Sequence, residues 1–338
     1  MISRIFMMVL TLSSYIMSNA QSMATEAEVF ISGLPPGLQD KQEQAVRAAI
    51  NGDFSPLNEV RNARNIPSAL PAGISSEDID GKYRLYVPDG ATCMSLLIYL
   101  HGGGWCFGSI NSCSRFCSSL AKEAGIAVLA VEYPLAPEHP YPAALNSCIE
   151  ALTYVVDNAA ELGVDPNAIS IGGDSAGGNL ALATALRMIY TEEQLKDTPY
   201  IDSLPKIKSL VLFYPVVKAW NDGSESWSKY ESSYGLDGKI METFNEAYID
   251  GNDPQLPLIS PYNAAPAHLS KLPPTLIVNA DHDILKDQGE AMYERLREAG
   301  VKVKREVLPG TTHLFITVAG QPTAFDKSVA LTKEFLSD

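Results

Sequence analysis

Gly173-Asp174-Ser175-Ala176-Gly177 has the residue types and spacing of a serine presented for nucleophilic attack. The G-x-S-x-G pattern sets small residues two positions either side of the serine. A sharp strand-to-helix turn needs them there, and its tip then exposes the hydroxyl. The flanks agree, because residues 168–172 read as a strand and 178–190 as a helix. Without those flanks the same residues would be a Gly-rich turn between two core elements. A serine hydroxyl is a weak nucleophile at neutral pH. It needs a base, a carboxylate to orient that base, and donors for the developing oxyanion. Behind such an elbow the acid comes next in the chain and the histidine last.

Of the five histidines, only His268, His282 and His313 follow Ser175. His313 sits in a loop directly after the strand-like run 303–308, where a general base belongs. His282 is flanked by Asp281 and Asp283, too close to its own acids to be presented by them. His268 lies in an Ala/Pro-rich stretch with no strand before it. His313 is therefore the expected base. For the acid, the short apolar run 275–280 follows two prolines and reads as a buried strand. Asp281, Asp283 and Asp287 come next. Asp287 suits the first turn of the following helix, where the helix dipole favours an acid. Asp281 and Asp283 both fit as partners of His313, and spacing does not separate them.

Residues 94–100 (MSLLIYL) read as a central strand, followed at once by His101-Gly102-Gly103-Gly104-Trp105. Successive glycines let backbone N–H groups approach a substrate oxygen without Cβ interference. One such donor contributes roughly 3–4 kcal/mol in a transition state. Gly102, Gly104 and Gly108 also mimic a dinucleotide-binding loop, and Tyr214 with Lys218 mimics a dehydrogenase Tyr-x-x-x-Lys pair. Pro215 follows that tyrosine inside a strand-like run, so the pair would not share a helix face. No acidic residue ends the next strand at the cofactor spacing, so the dehydrogenase reading lacks its context.

Five motifs now stand in order: HGGGW (101–105), YPLAPEHPYPAAL (133–145), GGDSAGGNLA (172–181), DHDILKDQG (281–289) and GTTHLF (310–315). From about Tyr83 to the C-terminus the chain resembles the hormone-sensitive-lipase group of α/β hydrolases, which includes bacterial esterases and animal arylacetamide deacetylases. The resemblance implies that the acid is Asp283, in a motif where Ile284 and Lys286 replace the group's usual proline and arginine. It implies oxyanion donors at the backbone of Gly103, Gly104 and Ala176, and a loop-bracing role for His101. It makes segment 133–145 structural. Residues 216–256 would form a helical cap together with the N-terminal helices.

The elements that must position these groups alternate. Strands read at 83–87, 96–100, 127–131, 168–172, 210–214, 275–280 and 303–308, and helices at 114–123, 143–162, 178–190, 287–299 and 324–336. Such alternation predicts an α/β-hydrolase fold: a mostly parallel central sheet flanked by helices, with its ligand loops at the C-terminal strand ends. Residues 24–64 are helix-prone. A single α/β domain is expected over residues 21–338, its cap drawn from about 21–70 and 216–256. Aromatics of the insertion could line a pocket or pack the cap to the core. Trp105, Phe107 and Tyr214 are the candidate pocket residues.

Arg4, the apolar run 5–17 and Ser18-Asn19-Ala20 read as a signal peptide over residues 1–20, hence as export to a periplasm or the exterior, with no stable membrane insertion after cleavage. An oxidising compartment permits disulfides, and Cys106 with Cys113 or Cys117 is the expected pair. The five cysteines and their spacing offer no zinc site. With 25 basic against 40 acidic residues and a net charge of -15, the chain repels nucleic acid. The expected activity is a serine carboxylesterase on short- to medium-chain acyl esters, needing a small-molecule ester and no cofactor or metal. An amidase or deacetylase with the same triad, and a non-catalytic ligand binder on the same fold, are the alternatives.

Overall fold

The computed structural model describes residues 2–190 and 206–337, with side chains described from Met17 onward. Three helices come first: α1 (Ile2–Gly33), α2 (Leu38–Ile50) and α3 (Ser55–Arg64). Strands β1 (Ile74–Ile79), β2 (Tyr83–Pro88) and β3 (Met94–Leu100) follow, then α4 (Ser114–Ala124), β4 (Ala127–Val131), α5 (Ala143–Asp157) and α6 (Ala159–Leu162). Next come β5 (Val164–Asp174), α7 (Ala176–Arg187), β6 (Leu210–Phe213), α8 (Glu225–Lys229) and α9 (Gly238–Ile249). The chain ends with α10 (Pro266–Leu269), β7 (Thr275–His282), α11 (Lys286–Glu298), β8 (Val303–Thr312) and α12 (Pro322–Ser337).

Among the described residues the strands form one eight-stranded sheet in the order β1-β2-β4-β3-β5-β6-β7-β8. Every pairing from β4 to β8 is parallel, and β2 joins β1 and β4 antiparallel. Strand β3 shows why the sheet lies inside. Leu96, Ile98 and Leu100 pack on one face with α5 and α7, while Leu97 and Tyr99 pack on the other with α4 and α12. A strand covered on both faces reads as a continuous apolar run, which MSLLIYL is. This is the expected α/β-hydrolase architecture. Because β3, β5, β7 and β8 are parallel, the loops after Leu100, Asp174, His282 and Thr312 emerge at one edge.

Several local expectations change. Strand β1 is added at the sheet edge. Its sequence ISSEDI is mostly exposed and lacks apolar alternation, so pairing with β2 makes it a strand where its own pattern does not. The helical stretch expected at 24–64 is three helices and begins earlier. The expected helix 143–162 breaks at Asn158 into α5 and α6. All five cysteines are free. The expected pairing of Cys106 with Cys113 or Cys117 is absent because Cys106 packs on one face of the sheet and the other two on the opposite face.

Helix α1 runs unbroken past Ala20, and the side chains of residues 5–16, most of the expected apolar run, lie outside the described residues. Met23, Ala27 and Phe30 are buried, and α1 packs on β8 and α12. Among the described residues no helix is long and apolar enough to cross a membrane.

The insertion after β6 meets the N-terminal helices over the sheet edge. Helix α2 packs on α3 and α9. Glu43 of α2 is buried yet satisfied, accepting from Arg47 Nε at 2.7 Å and Thr243 Oγ1 at 3.1 Å, with Lys239 Nζ at 3.2 Å. Burial acts to raise the Glu43 pKa, but these three donors outweigh it and leave it lowered.

Candidate active site

Ser175 occupies the turn between β5 and α7 with φ 55° and ψ -118°. A left-handed φ on a side-chain-bearing residue is strained, and the surroundings must hold it there. Ser175 N–H donates to Phe213 O at 2.9 Å. The flanking glycines are sterically required. A Cβ on Gly177 would stand 1.9 Å from Leu100 O, and one on Gly173 would stand 2.5 Å from the same oxygen. So the strand-to-helix elbow expected from the G-x-S-x-G spacing is what the backbone forms.

His313 follows β8. Its Nε2 lies 3.1 Å from Ser175 Oγ, and its Nδ1 lies 2.6 Å from Asp283 Oδ2. Asp283 and His313 are each 1% exposed. The other Asp283 oxygen accepts the Leu285 N–H at 2.9 Å, which fixes the carboxylate plane. Gln321 clamps the base from behind, accepting from Thr312 N at 3.0 Å and donating to His313 O at 3.4 Å. Asp281 does other work. It accepts from Lys286 Nζ at 2.7 Å and from Gly310 N at 3.0 Å, so it ties β8 to the start of α11. Of the two candidates, it is Asp283 that hydrogen-bonds His313, while Asp281 is engaged elsewhere.

Across the cleft lies the glycine loop after β3. Gly103 has φ 123° and Gly104 φ 59°. A Cβ on Gly103 would meet Phe107 O at 2.5 Å, and one on Gly104 the Phe244 ring at 2.2 Å. Bare backbone is the only covering this loop accepts. Asp174 braces it from below, accepting from Gly102 N and Tyr99 Oη at 3.0 Å each. Burial pushes the Asp174 carboxyl up to about 6, although those two donors favour its charge. His101 stacks on Tyr133 at 4.1 Å, and Tyr133 Oη donates to His101 O at 2.6 Å. Burial pulls the His101 pKa down to about 4, so its ring is a neutral brace and not a second base. Ala176 opens α7 beside Ser175, where N–H groups of a first turn have no helical acceptor.

Gly103, Gly104, Ser175 and His313 line one narrow cleft of about 30 Å³, walled by Phe107, Phe244, Ile240, Met241 and Leu314. Gln39, Gln42 and Arg64 of the N-terminal helices also face it. Of the three expected pocket residues, Phe107 does line the cleft. Trp105 does not, because its ring stacks flat on Tyr248 at 4.3 Å and is wholly buried. Tyr214 does not either. It lies under the base, its ring 4.2 Å from His313 and its hydroxyl accepting from Ile316 N at 3.2 Å. Asp174 and Gln321 carried no sequence signal beyond a variable motif position and an isolated glutamine. The α2 and α3 residues carried none.

Comparison with known proteins agrees with the fold. The α/β hydrolase fold family matches residues 97–317. An arylesterase of Saccharolobus solfataricus is 31% identical over 89% of this chain and 90% of its own. An ethyl acetate hydrolase of Pseudomonas putida is 34% identical over 75% and 77%. A carboxylesterase of Mycobacterium tuberculosis is 35% identical over 67% and 68%. Among solved structures, an ester hydrolase from the metagenome of Lake Arreo superposes with a TM-score of 0.72 at 28% identity, covering 95% of this chain and 99% of that one. The mostly parallel sheet flanked by helices is thus the α/β hydrolase fold, and the chain belongs to the hormone-sensitive-lipase-like group of that family.

Proposed function

We propose that this protein is a serine carboxylesterase acting on short- to medium-chain acyl esters. The observation that carries the proposal is the unbroken hydrogen-bonded line from Asp283 through His313 to Ser175, at 2.6 and 3.1 Å, opening onto a bare glycine loop. Ser175 Oγ attacks the ester carbonyl as His313 Nε2 takes its proton. Asp283 holds the proton on Nδ1 and stabilises the imidazolium. N–H groups of Gly103, Gly104 and Ala176 receive the oxyanion. His313 then protonates the departing alcohol, and water, activated by the same nitrogen, releases the acid from Ser175.

The names of the relatives, an arylesterase, an ethyl acetate hydrolase and a carboxylesterase, support an ester as the substrate. The narrow cleft, walled by Phe107, Ile240, Met241 and Phe244, supports a short acyl chain lying against apolar side chains. Export is part of the proposal. Among the described side chains, those of α1 that are buried all lie beyond Ala20, so loss of residues 1–20 removes no described core contact.

The test is hydrolysis of p-nitrophenyl esters from acetyl to palmitoyl, with Ser175→Ala beside the wild type. A rate peaking at short chains and falling roughly 10⁴-fold or more in Ser175→Ala is expected. Equal rates for the two proteins would remove Ser175 from the mechanism.

A further inference from the structure

Helix α3 carries two arginines one turn apart, and their surroundings differ. Arg61 is fully engaged. It pairs with Glu138 at 2.6 Å and donates to Cys106 O at 2.8 Å and Ala136 O at 2.9 Å. The guanidinium of Arg64, three residues on, has no hydrogen-bonding or ion-pairing partner among the described residues. Its guanidinium carbon sits 5.6 Å from the Phe107 ring centroid, and the residue lines the same cleft as Ser175 and His313. Gln42 of α2 faces that cleft too. It is 6% exposed, and its carboxamide makes no hydrogen bond among the described residues. Its neighbour Gln39 is spent on Gly235 O at 2.9 Å.

Unspent donors in a confined space are costly. A polar group that loses hydration on burial without gaining a partner is costly, and a guanidinium more so; Arg64 is half-buried and Gln42 buried. No carboxylate lines this cleft among the described residues, in a chain of net charge -15. The anionic group whose charge acts on Arg64 is Asp174, which lies beneath the glycine loop and already accepts from Tyr99 and Gly102. Burial lowers the Arg64 pKa and Asp174 opposes the fall, yet a guanidinium stays charged at neutral pH. The cleft therefore places a cation and a carboxamide on the same walls as the nucleophile, and among the described residues neither side chain is hydrogen-bonded.

We infer that the preferred substrates are esters carrying a free carboxylate, which Arg64 and Gln42 receive while Ser175 attacks the ester carbonyl. The inference rests on the ester-hydrolase reading of the same site. The carboxylate can belong to the acyl part, as in a monoester of a dicarboxylic acid, or to the alcohol part, as in an acylated hydroxy acid. Both present the same anion to the same donors. Arg64 is a binding residue in this scheme and takes no part in bond making.

Two matched pairs separate the sources. Ethyl hydrogen succinate against ethyl succinamate places the charge on the acyl side. 4-Acetoxybenzoate against 4-acetoxybenzamide places it on the alcohol side. For each pair the readout is the ratio of kcat/KM, acid over amide, in wild type, Arg64→Met, Arg64→Lys and Gln42→Leu. The wild type should favour the acid in at least one pair. Arg64→Met should lower that ratio on the order of 10- to 100-fold, the usual range for a lost charge-assisted hydrogen bond, and chiefly through KM. Arg64→Lys should fall between, because it keeps the charge and loses the fork. Gln42→Leu should lower the ratio less than Arg64→Met. Added salt should weaken the wild-type preference.

A ratio unchanged by Arg64→Met in both pairs overturns the inference, as does a wild type that prefers both amides. Acid and amide rates that fall together assign Arg64 a structural role and overturn it too. If Arg64→Met does not fold, the ratio in Arg64→Lys decides. Throughout, p-nitrophenyl acetate serves as the reference. A wild type that hydrolyses it and fails these ratios loses only the inference, whereas one that does not hydrolyse it loses the esterase reading first.

Discussion

Replacing Asp283 by Asn and, separately, Asp281 by Asn tests the site at the point where sequence spacing left two answers. In the native arrangement Asp283 Oδ2 accepts the His313 Nδ1 proton at 2.6 Å, and Oδ1 accepts the Leu285 N–H at 2.9 Å. An asparagine has one acceptor and one donor end. Leu285 N–H demands the acceptor, so the amide NH₂ turns toward His313 Nδ1. Nδ1 must then accept, which moves the ring proton to Nε2. A protonated Nε2 donates to Ser175 Oγ and cannot take its proton. The opposite flip would set an NH₂ against the Leu285 N–H in a buried site, leaving both unsatisfied. The tautomer error is therefore built into the local hydrogen bonding. Serine triads lose about 10⁴-fold in kcat from this change, which at about 1.36 kcal/mol per decade is roughly 5.4 kcal/mol of barrier. Asp281→Asn keeps an acceptor for Gly310 N–H and loses the Lys286 pair, which is about a quarter exposed on each side. Such a pair contributes about 0–1 kcal/mol, so kcat/KM should stay within about fivefold. The assay is kcat/KM on p-nitrophenyl acetate from pH 6 to 9, with active serines counted by an organophosphonate and folding checked by thermal melting. Equal losses in the two variants, or an Asp283→Asn enzyme within tenfold of wild type, would refute the assignment.

Three further outcomes follow from the same structure. Gly104→Ala puts a Cβ 2.2 Å from the Phe244 ring at φ 59°, so the loop or α9 must shift, and kcat should fall roughly 100-fold or more; adding Phe244→Ala removes the clash but not the backbone strain, so steady-state kinetics should show partial recovery. Asp174 has its pKa raised from 3.8 to about 6, so the folded protein keeps a proton that the unfolded chain gives up. Its contribution to stability thus falls as pH rises from about 4 to 6, by up to about 3 kcal/mol, and levels off above. Asp174→Asn cannot titrate, so denaturant titrations should show its stability relative to wild type rising over that window; a flat difference would disprove the shift. Deleting residues 1–20 should leave the melting temperature within about a degree, whereas Phe30→Ala, which strips a buried ring from α1, should destabilise by about 2–3 kcal/mol.

Much of this protein is legible along the chain, and the reasons are local. The strand β3 and the elbow at Ser175 announce themselves because full burial demands an unbroken apolar run and a sharp turn demands glycines at fixed offsets. His313 is identified by its place just after a strand, as is Asp283 once the motif order is matched to a family. Those features depend on neighbours within a few residues. Strand β1 was not legible, since ISSEDI becomes a strand only by pairing with β2. The cysteine pairing failed for a related reason: Cys106 and Cys113 are close in sequence, yet the chain carries them to opposite faces of the sheet. Trp105 and Tyr214 looked like pocket walls from their closeness to site residues, but which way a ring points depends on Tyr248 and His313, which arrive from distant segments. The separation of Asp281 from Asp283 by bonding, the bracing of the glycine loop by Asp174, and the presence of Arg64 and Gln42 in the cleft belong to tertiary structure alone. They need separate elements to be packed together, 30 residues apart for Asp283 and His313 and 72 for Asp174 and Gly102, and no local pattern along the chain encodes contacts across such distances.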